Sequence, residues 1–393
     1  MTELQQLINE LCPNGVKFVA LEECCKILDN KRKPVTKAAR QAGEYPYYGA
    51  NGIQDYVSDY IFDGIFVLVG EDGSVVTPSG NPVVNWATGK IWVNNHAHII
   101  EEKDGVLLRY LYHYLQTVNV SALIHGNIPK LTGGDFRAIK VPVPPLPVQS
   151  EIVRILDNFT ELTAELTAEL TAELTARKQQ YAHYRDTLLK LDNNVPSYTL
   201  KDICLSIADG DHMPPPKADS GVPFITISNI TETRQIDFSN VMYVPREYYD
   251  KLADKRKAKR DDILYTVVGS FGIPVHISSK TEFVFQRHIA ILRPNQQMIV
   301  PRYMYHIMQS TEFYKQADKA AKGAAQRTIG LSSLGNMTIP LPSIEEQKRI
   351  VAILDRFDTL CNDISAGLPA EIEARQKQYE YYRDKLLTFE PAK

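Results

Sequence analysis

A stretch of 41 residues in the middle of the chain recurs near its end. Residues 149–189 align without gaps on residues 347–387, at a constant offset of 198, and 21 of the 41 positions are identical. Helices that share only a composition would not also share Arg177/Arg375 and Tyr181/Tyr379 in register. The chain therefore carries an internal duplication, and we expect it to fold as two similar units.

Both copies have apolar residues at the three-and-four spacing of one helix face, so each predicts a helix of roughly 60 Å. The first copy also contains three consecutive Thr-Ala-Glu-Leu tetrads, at 163–166, 167–170 and 171–174. Ala, Glu and Leu are strong helix formers, and each tetrad adds about 6 Å of helix. The tetrads have two interpretations: a low-complexity helix without a specific role, or a spacer whose length matters.

The second copy departs from the first at Gly367-Leu368-Pro369. Proline has no backbone donor and clashes with the preceding turn, so it predicts a kink or a short break in this helix. The apolar register continues beyond Pro369, which favours a break within one helical arm over the end of a domain.

A proline-rich stretch precedes each copy, and Pro142 and Pro144 fall on Pro340 and Pro342 at the same offset. Because proline ends the preceding element, these stretches mark the exits of two globular regions. The two regions resemble each other weakly. Residues 109–113 match residues 302–306 as a helical turn, and residues 63–70 match residues 262–269 as a buried strand.

These boundaries predict a mixed α/β (α+β) protein with four segments: a first domain at 1–147, a first long helix at 148–192, a second domain at 193–343 and a second long helix at 344–393. The first helix leads from one domain to the other. If the second helix packs on the first, it must run back. The two helices are therefore predicted to be antiparallel, with a pseudo-twofold axis relating the units.

Length and charge narrow the class of protein. With 393 residues and a net charge of −3, the chain is not an extended basic coat for nucleic acid, although local basic clusters remain. The chain has no apolar run of 18 residues, and its N-terminus lacks an apolar secretory core, so we expect a cytoplasmic protein without a membrane span. The five cysteines form no Cys-x-x-Cys pair, which argues against a zinc site or a disulfide framework.

The duplicated motifs resemble those of a known family. The helix entries QSEIVRILDNF and QKRIVAILDRF, the helix exits ARKQQYAHYRDTLL and ARQKQYEYYRDKLL, and the tetrads are similar to the specificity subunit of type I restriction–modification systems. Residues 45–52, YPYYGANG, also resemble the opening of a target-recognition domain in that family. The likeness covers essentially the whole chain.

The resemblance implies a non-catalytic DNA-binding subunit that holds no cofactor. In this family, two target-recognition domains each read one half of a split DNA site. The helices set the distance between the halves and bind two modification subunits, which are adenine methyltransferases. The expected partners are therefore double-stranded DNA, two methyltransferase subunits and the motor–nuclease restriction subunit.

The residues themselves agree with a non-catalytic role. An adenine methyltransferase would need an Asn/Asp-Pro-Pro-aromatic motif, which Val141-Pro-Val-Pro-Pro145 is not, and the chain has no Gly-rich phosphate loop that ends in Lys-Ser/Thr. His96 and His98 would face the same side of a strand. Because no carboxylate or cysteine completes a ligand set with them, we expect no metal site.

Base readout needs Arg or Lys on guanine and Asn or Gln on adenine, with further contacts to phosphate. In the first domain the candidate DNA-binding residues are Lys31, Arg32, Lys33, Tyr48, Asn51, Lys90, Asn127 and Lys130. In the second domain they are Lys217, Asn229, Arg256, Lys257, Lys259, Arg260, Arg287, Gln326 and Arg327. Two alternatives stay open: the basic run 255–260 is either a solvated loop or a DNA contact, and Tyr48 belongs either to the core or to the interface.

Two other functions also stay open. One is a coiled-coil adaptor whose globular heads bind proteins. The other is a stand-alone methyltransferase or nuclease, which the missing catalytic motifs disfavour. If the tetrads act as a ruler, we expect deletion of one tetrad to shorten the spacer in the DNA site by about one base pair and to leave both half-sites unchanged.

Overall fold

The computed structural model describes residues 3–73, 75–192, 194–210, 215–324, 326–362 and 367–392. The chain divides into two compact units. The first unit contains Met1–Leu166 and Arg375–Lys393, and the second unit contains Thr167–Ala374. Each unit holds one globular head together with part of each helical arm.

The first head is a mixed α/β structure. Its helices are α1 (Glu3–Leu11), α2 (Leu21–Cys24), α3 (Leu108–Leu115) and α4 (Gly133–Ala138). Its strands are β1 (Phe18–Ala20), β2 (Cys25–Ile27), β3 (Ala42–Gly49), β4 (Gly52–Val57), β5 (Phe62–Gly70), β6 (Val84–Val93), β7 (Ala97–Glu102), β8 (Ile124–His125), β9 (Lys130–Leu131) and β10 (Lys140–Pro142). Six of them form one sheet in the order β2-β7-β5-β6-β3-β4, in which β3 and β6 are parallel and the other neighbours antiparallel.

Strand β5 lies at the centre of this sheet because both of its faces are apolar. Residues 66–69, FVLV, are all buried. Val67 and Val69 pack with the core around α3, whereas Phe66 and Leu68 pack with Tyr48 on the other face. An apolar run without alternation is typical of a strand that is covered on both sides.

The second head repeats this plan with shorter elements. Leaving out the arm helix that separates the heads, its helices are α6 (Leu200–Ile203), α7 (Arg246–Asp250), α8 (Pro301–Ile307), α9 (Thr311–Ala320) and α10 (Leu331–Gly335). Its strands are β11 (Ser197–Thr199), β12 (Cys204–Asp209), β13 (Val222–Ile225), β14 (Met242–Val244), β15 (Ile263–Thr266), β16 (Pro274–His276), β17 (Val284–Phe285), β18 (Ile289–Pro294) and β19 (Thr338–Pro340). They form sheets in the orders β12-β18-β15-β16 and β14-β13-β17, and the short ribbon β11-β19 matches the ribbon β1-β10 of the first head.

The helical arms are α5 (Leu146–Leu188), α11 (Ile344–Asn362) and α12 (Leu368–Leu386). In the tetrads, the Thr171 and Thr175 hydroxyls donate to the carbonyl oxygens four residues earlier, at 2.7 and 2.9 Å, so threonine is accommodated within the helix. Pro369 lies in the first turn of α12, where its missing N–H leaves no helical hydrogen bond unmade. The kink or break was predicted at Gly367-Leu368-Pro369, where α12 begins; residues 363–366, between α11 and α12, lie outside the described residues.

Within the first unit, α5 and α12 are antiparallel. The hydroxyls of Thr160 and Tyr379 lie 3.0 Å apart, and the rings of Phe159 and Tyr382 are 6.1 Å apart. An earlier position of α5 therefore meets a later position of α12. The segment that follows α12 also contacts the first head: Leu387 is buried in its core, and Pro391 forms a β-bridge with Val16.

Within the second unit, α5 and α11 are antiparallel as well. The ring of Tyr184 stacks on Phe357 at 5.4 Å, while Cys361 lies close enough to Lys178 for that charge to lower its pKa against the larger effect of burial. A later position of α5 therefore meets an earlier position of α11. The predicted fold, two mixed α/β heads with long antiparallel helices, is confirmed.

A buried glutamine fixes the helical arm to the head in each unit. The carboxamide of Gln149 accepts from the Leu107 N–H at 2.9 Å and donates to the Pro144 carbonyl at 2.7 Å. Gln347, at the aligned position, accepts from the Val300 N–H at 2.8 Å and donates to a proline carbonyl at 2.9 Å. Both side chains are fully buried and fully bonded, so the joint orients each head on its arm.

Candidate nucleic-acid interface

The first head carries a short hairpin, residues 124–131, formed by β8 and β9. Gly126 adopts φ +83° at its turn, a conformation that side chains disfavour. Residues 125–130 are all exposed, and Ile128 is 70% exposed. The base is fixed to the end of β5, because Leu131 N–H donates to the Glu71 carbonyl at 2.8 Å. A firmly held base therefore presents Asn127 and Ile128 to solvent.

A polar network under this first hairpin joins two groups of predicted DNA-binding residues. The guanidinium of Arg32 lies 2.5 Å from the Glu71 carboxylate, and Lys130 lies 3.1 Å from the same carboxylate. Arg32 also donates to the Ala97 carbonyl at 2.7 Å. The structure thus makes Arg32 a part of the fold. Its neighbours Lys31 and Lys33 are exposed.

The same network corrects the expectation that no carboxylate joins the histidines. Ligand atoms of Asp29, Glu71 and His98 lie within 4.8 Å of one another, and His96 contacts Asp72. A metal would need a free ring nitrogen, but His98 Nδ1 faces Asp29 at 2.7 Å and Nε2 faces the Leu131 carbonyl at 3.0 Å. With Arg32 and Lys130 already balancing the carboxylates, the cluster suits an ion-pair network better than a cation site. Burial opposes ionisation of Asp29, yet its hydrogen bond with His98 holds the pKa of that carboxyl below its usual value.

The second head presents a hairpin at the corresponding place, residues 322–328. Lys322 and Thr328 exchange two backbone hydrogen bonds, and Gly323 adopts φ +114°. Gln326 is exposed, and Arg327 lies over the Phe271 ring at 5.1 Å with an ion pair to Asp318 at 2.6 Å. Ala325 lies outside the described residues.

The two hairpins occupy equivalent positions in the duplicated architecture. In the first head, Asp72 bridges to Lys130 two residues after β5 ends, and in the second head, Val268 bridges to Thr328 two residues after β15 ends. Strands β5 and β15 are the pair that the internal alignment matched. Asn127 and Gln326, two of the candidate DNA-binding residues, therefore lie in these two hairpins, beside the ends of β5 and β15.

Two more candidates lie at these strand ends. Asn51 is exposed in the turn after β3, and a Cβ atom on Gly70 would lie only 3.0 Å from the carbonyl of the preceding Ala50. Arg287 is exposed in the second head, and the carbonyl of the next residue, His288, accepts from the Val267 N–H at 2.8 Å. Asn51 therefore lies near the base of the first hairpin, and Arg287 lies near the base of the second.

Several other candidates lie elsewhere or serve the fold. Tyr48 is buried in a core cluster, so of its two alternatives the structure gives the core. Asn229 is also buried, and its amide donates to the Asn240 carbonyl at 3.0 Å while its oxygen accepts from Thr226. Lys90 lies on β6 opposite Asp63, near the start of β5. Its ammonium group lies over the Tyr60 ring at 4.6 Å, and Tyr60 raises the pKa of Lys90. Lys217 is exposed, outside the two hairpins.

The basic run 255–260 is largely paired within the second head. Arg256 lies 3.2 Å from Asp209, Lys259 lies 2.8 Å from Asp254, and Lys257 donates to the Asp250 carbonyl at 2.9 Å. Arg260 is exposed. The run precedes β15, so it lies at the strand end away from the second hairpin.

Sequence reasoning missed Ile128, the most prominent residue of the first hairpin. Gly126 and Pro129 flank Asn127-Ile128, and this spacing of turn residues would have predicted a tight turn with two exposed positions. It also missed Glu71, whose partners lie 39 and 59 positions away in the chain.

The helical arms carry a second repeated surface. In the first unit, Phe159, Leu162, Tyr381 and Tyr382 are exposed, and we call them the first apolar patch. In the second unit, Tyr184 and Leu360 are exposed beside the half-buried Phe357, and these three form the second apolar patch. At the offset of 198, Leu162 corresponds to Leu360 and Tyr382 to Tyr184. Exposed apolar clusters of this kind are typical of protein–protein contacts.

A family model, the type I restriction modification DNA specificity domain, matches residues 13–176 and 193–374. The chain belongs to this family. Each matched stretch of the specificity subunit holds one head and the adjoining helix, so the model matches the two halves of the internal duplication separately. The resemblance inferred from the motifs is confirmed.

Two named relatives are similar over most of their length. A Haemophilus influenzae protein named as a type I restriction enzyme specificity subunit is 39% identical over 95% of this chain and 96% of its own. The EcoR124I/EcoR124II specificity subunit of Escherichia coli is 36% identical over 73% of this chain and 72% of its own. A solved chain from work on complex assembly and conformational transition of the type I R-M system shares the fold, with a TM-score of 0.60 and 16% identity over 95% of this chain and 98% of that one. Among the described helices of the specificity subunit, none is long and apolar enough to span a membrane.

Proposed function

We propose that this specificity subunit directs a type I restriction–modification complex to an asymmetric bipartite DNA site, and that each head reads one half through its hairpin. The observation that carries the proposal is the duplicated hairpin at the end of β5 and of β15. The two hairpins share their position but differ in side chains. Two readers of the same design and different chemistry suit a site with unlike halves.

The exposed side chains of the hairpins are suited to base readout. Asn127 and Gln326 can pair with adenine, and the apolar Ile128 can contact a thymine methyl group. Lys31, Lys33 and Lys130 around the first hairpin, and Arg287 near the second, suit phosphate contacts that set position. The proposed division of the chain is a reader at 1–147, a spacer helix at 148–192, a reader at 193–343 and a second helical arm at 344–393.

The two apolar patches support an assembly with two modification subunits. A partner present in two copies needs two equivalent surfaces, and three positions correspond across the duplication: Phe159 to Phe357, Leu162 to Leu360 and Tyr382 to Tyr184. We therefore assign one methyltransferase subunit to each patch, with the restriction subunit joining the resulting complex. In this proposal methylation and cleavage belong to the partners, and the specificity subunit itself binds no cofactor.

The test is methylome sequencing of cells that express the subunit with its cognate methyltransferase. We expect methylated adenines in both halves of a split, asymmetric motif. Asn127→Ala together with Ile128→Ala should relax the first half only, and Gln326→Ala the second half only, because one lost base contact costs about 1–3 kcal/mol of discrimination. Lys90→Ala, on β6 opposite Asp63 near the start of β5, is the matched control and should leave both base preferences unchanged.

Two results would overturn the assignment. A continuous palindromic motif would contradict two independent readers. Hairpin variants that keep both base preferences would move the reading surface elsewhere on the heads. If the complex does not shift DNA in a mixing assay at all, the heads bind protein and the chain is an adaptor.

A further inference from the structure

Helix α9 (Thr311–Ala320) distinguishes the second head from the first. In the second head, residues 308–321 separate α8 from the second hairpin, and α9 fills most of that segment. In the first head, the shorter segment 116–123 separates α3 from the first hairpin, and its regular structure is a 3-10 turn at Ser121–Leu123. The second hairpin therefore follows directly on a helix for which the first head has no equivalent at this place.

Both ends of α9 are fixed within the second unit. At its start, the Thr311 N–H donates to the Asp186 carboxylate of α5 at 3.2 Å. Near its end, Asp318 forms an ion pair with Arg327 of the second hairpin at 2.6 Å. Between these contacts, Phe313 is buried in the core of the head. The helix is thus held in place beside the hairpin.

One side of α9 faces the second hairpin. Tyr314 stacks on the Phe271 ring, with the centroids 6.0 Å apart, and the Arg327 guanidinium lies over the same ring at 5.1 Å. Tyr314 and Asp318 are four residues apart, so they lie on the same side of the helix. Their contacts with Phe271 and Arg327 therefore turn this side towards the hairpin and leave the adjoining side to solvent.

A stripe of lysines runs along that adjoining side. Lys315 and Lys319 are four residues apart, and Lys315 comes three residues before Asp318, so the stripe borders the side that faces the hairpin. Lys322 continues the stripe, because its backbone exchanges two hydrogen bonds with Thr328 at the base of the hairpin. The three lysines are exposed. They lead from the helix to the base of the second hairpin.

Two of these lysines have no protein counterion. Lys315 pairs with Glu312 at 2.7 Å, whereas neither Lys319 nor Lys322 forms an ion pair with any residue that the structure describes. The segment 311–328 contains four cationic and two acidic residues, although the whole chain has a net charge of −3. Exposed positive charge in excess, next to a base-reading hairpin, is complementary to the phosphates that flank the bases.

We infer that Lys319 and Lys322 contact DNA phosphates beside the bases that the second hairpin reads. This role rests on the proposed function and adds positioning residues to it. Phosphate contacts carry no base preference, but they fix the position of a reader on the duplex. Because α9 is attached to the hairpin through Asp318 and Arg327, the lysines and the reading side chains keep a fixed arrangement.

The test measures DNA binding by the specificity subunit assembled with its methyltransferase subunits. The probe is a labelled duplex that carries the motif found in the methylome, and the salt concentration is raised from about 50 to about 200 mM. The double variant Lys319→Gln, Lys322→Gln should reduce the slope of the logarithm of the binding constant against the logarithm of the salt concentration by about two, since each phosphate contact contributes about 0.9.

Two control variants accompany this measurement. Lys319→Arg together with Lys322→Arg keeps both charges and should keep the slope. Lys280→Gln removes an exposed lysine that follows β16, at the strand end away from the second hairpin, and should leave the slope unchanged. Glutamine is a good helix former, so the double variant should keep α9.

Ethylation of single phosphates locates the contacts on the DNA. Ethylation beside the second half-site should weaken binding by the unmodified complex and should have no further effect on the double variant. Ethylation beside the first half-site should weaken binding by both. The methylome of cells that express the double variant should keep both half-site sequences.

The outcomes separate this role from the proposed function. Lysines near the C-terminus of a helix also stabilise its dipole, so a lower melting temperature with an unchanged salt slope would make these lysines structural and overturn the inference. An ethylation effect at the second half-site that the double variant retains would overturn it as well, and so would a changed second half-site in the methylome. In each of these cases the unmodified complex still binds a split site, and the proposed function stands. If the unmodified complex does not bind DNA, the proposed function fails, and the phosphate contacts fail with it.

Discussion

His306 is held in one neutral tautomer by its surroundings. Its Nε2 donates to Asp355 at 2.6 Å, and its Nδ1 accepts from the Tyr181 hydroxyl at 2.8 Å. Burial lowers its pKa, so the side chain is uncharged and fully bonded at the joint between the second head and its arm. In the first unit His113 makes the same bond to Asp157 at 2.7 Å, but its Nδ1 has no partner among the described residues.

The duplication offers a matched pair of tyrosines for testing this joint. Tyr181→Phe should destabilise the second unit by about 1–3 kcal/mol, because it leaves a buried ring nitrogen unpaired. Tyr379→Phe, at the aligned position, removes only a bond to the Thr160 hydroxyl at 3.0 Å on a half-buried side chain, and should cost less than about 1 kcal/mol. Urea denaturation of both variants measures the difference. Equal shifts in the midpoint would show that Tyr181 does not satisfy His306.

Single residues were the hardest feature to predict from the sequence. Arg32, Asn229 and Tyr48 have the residue types of DNA contacts, but the structure places their polar groups or rings inside the first or second head. A residue type fixes what a side chain can donate or accept. The partner that the side chain contacts depends on segments that lie far apart in the chain. Glu71, for example, is distant in sequence from both of its partners, Arg32 and Lys130.

Elements were predicted more closely. The tetrads and the apolar spacing predicted the long helix found as α5, and the apolar runs predicted strands at the positions of β5 and β15. Local sequence decides these elements, because helix propensity and buried runs act within a few residues. The second arm is described as two helices, α11 and α12, and the two hairpins were not predicted, although candidate residues within them were named. Hairpin geometry depends on its anchors to the strand end, which the local sequence does not contain.

The apolar patches lead to a prediction about assembly. Leu162→Lys in the first patch should release one modification subunit, because it places a charge in an apolar contact while keeping a good helix former. Leu360→Lys, at the aligned position, should release the other. Native mass spectrometry of the co-expressed complex would then give one modification subunit per chain for each single variant and none for the double variant.

The control for this experiment is Glu165→Lys, which changes the charge of an exposed residue on the same helix. It should keep two modification subunits. If both leucine variants also keep two, the patches are not the binding surface. If each single variant loses both subunits, the two sites are not independent.

At the scale of the whole chain, the internal duplication predicted the domain organisation, which the amino-acid composition does not indicate. It indicated two heads, two arms and their antiparallel direction, because a repeated head-plus-helix unit must return the chain towards its beginning. It did not indicate that Val16 pairs with Pro391 within the first unit, or that Leu387 enters the core of the first head. Leu387 is the last position of the repeat and Pro391 lies beyond it, so the internal alignment contains no information about these contacts.

The tetrads give the last prediction. A tetrad adds about 6 Å to an α-helix and a net rotation of about 40°, because four residues turn it by about 400°. One base pair advances DNA by about 3.4 Å and turns it by about 34–36°. The rotation of one tetrad thus matches the rotation of one base pair, and the length that a tetrad adds is less than the length of two base pairs.

Deletion of 167–170 should therefore shorten the spacer of the methylated motif by one base pair and leave both half-sites unchanged. Replacing the same four residues with Ala-Ala-Glu-Ala keeps the helix length and should keep the spacer, since length and rotation are the quantities being tested. Altered half-sites after the deletion, or an unaltered spacer, would show in the methylome that the tetrads do not measure the distance between the readers.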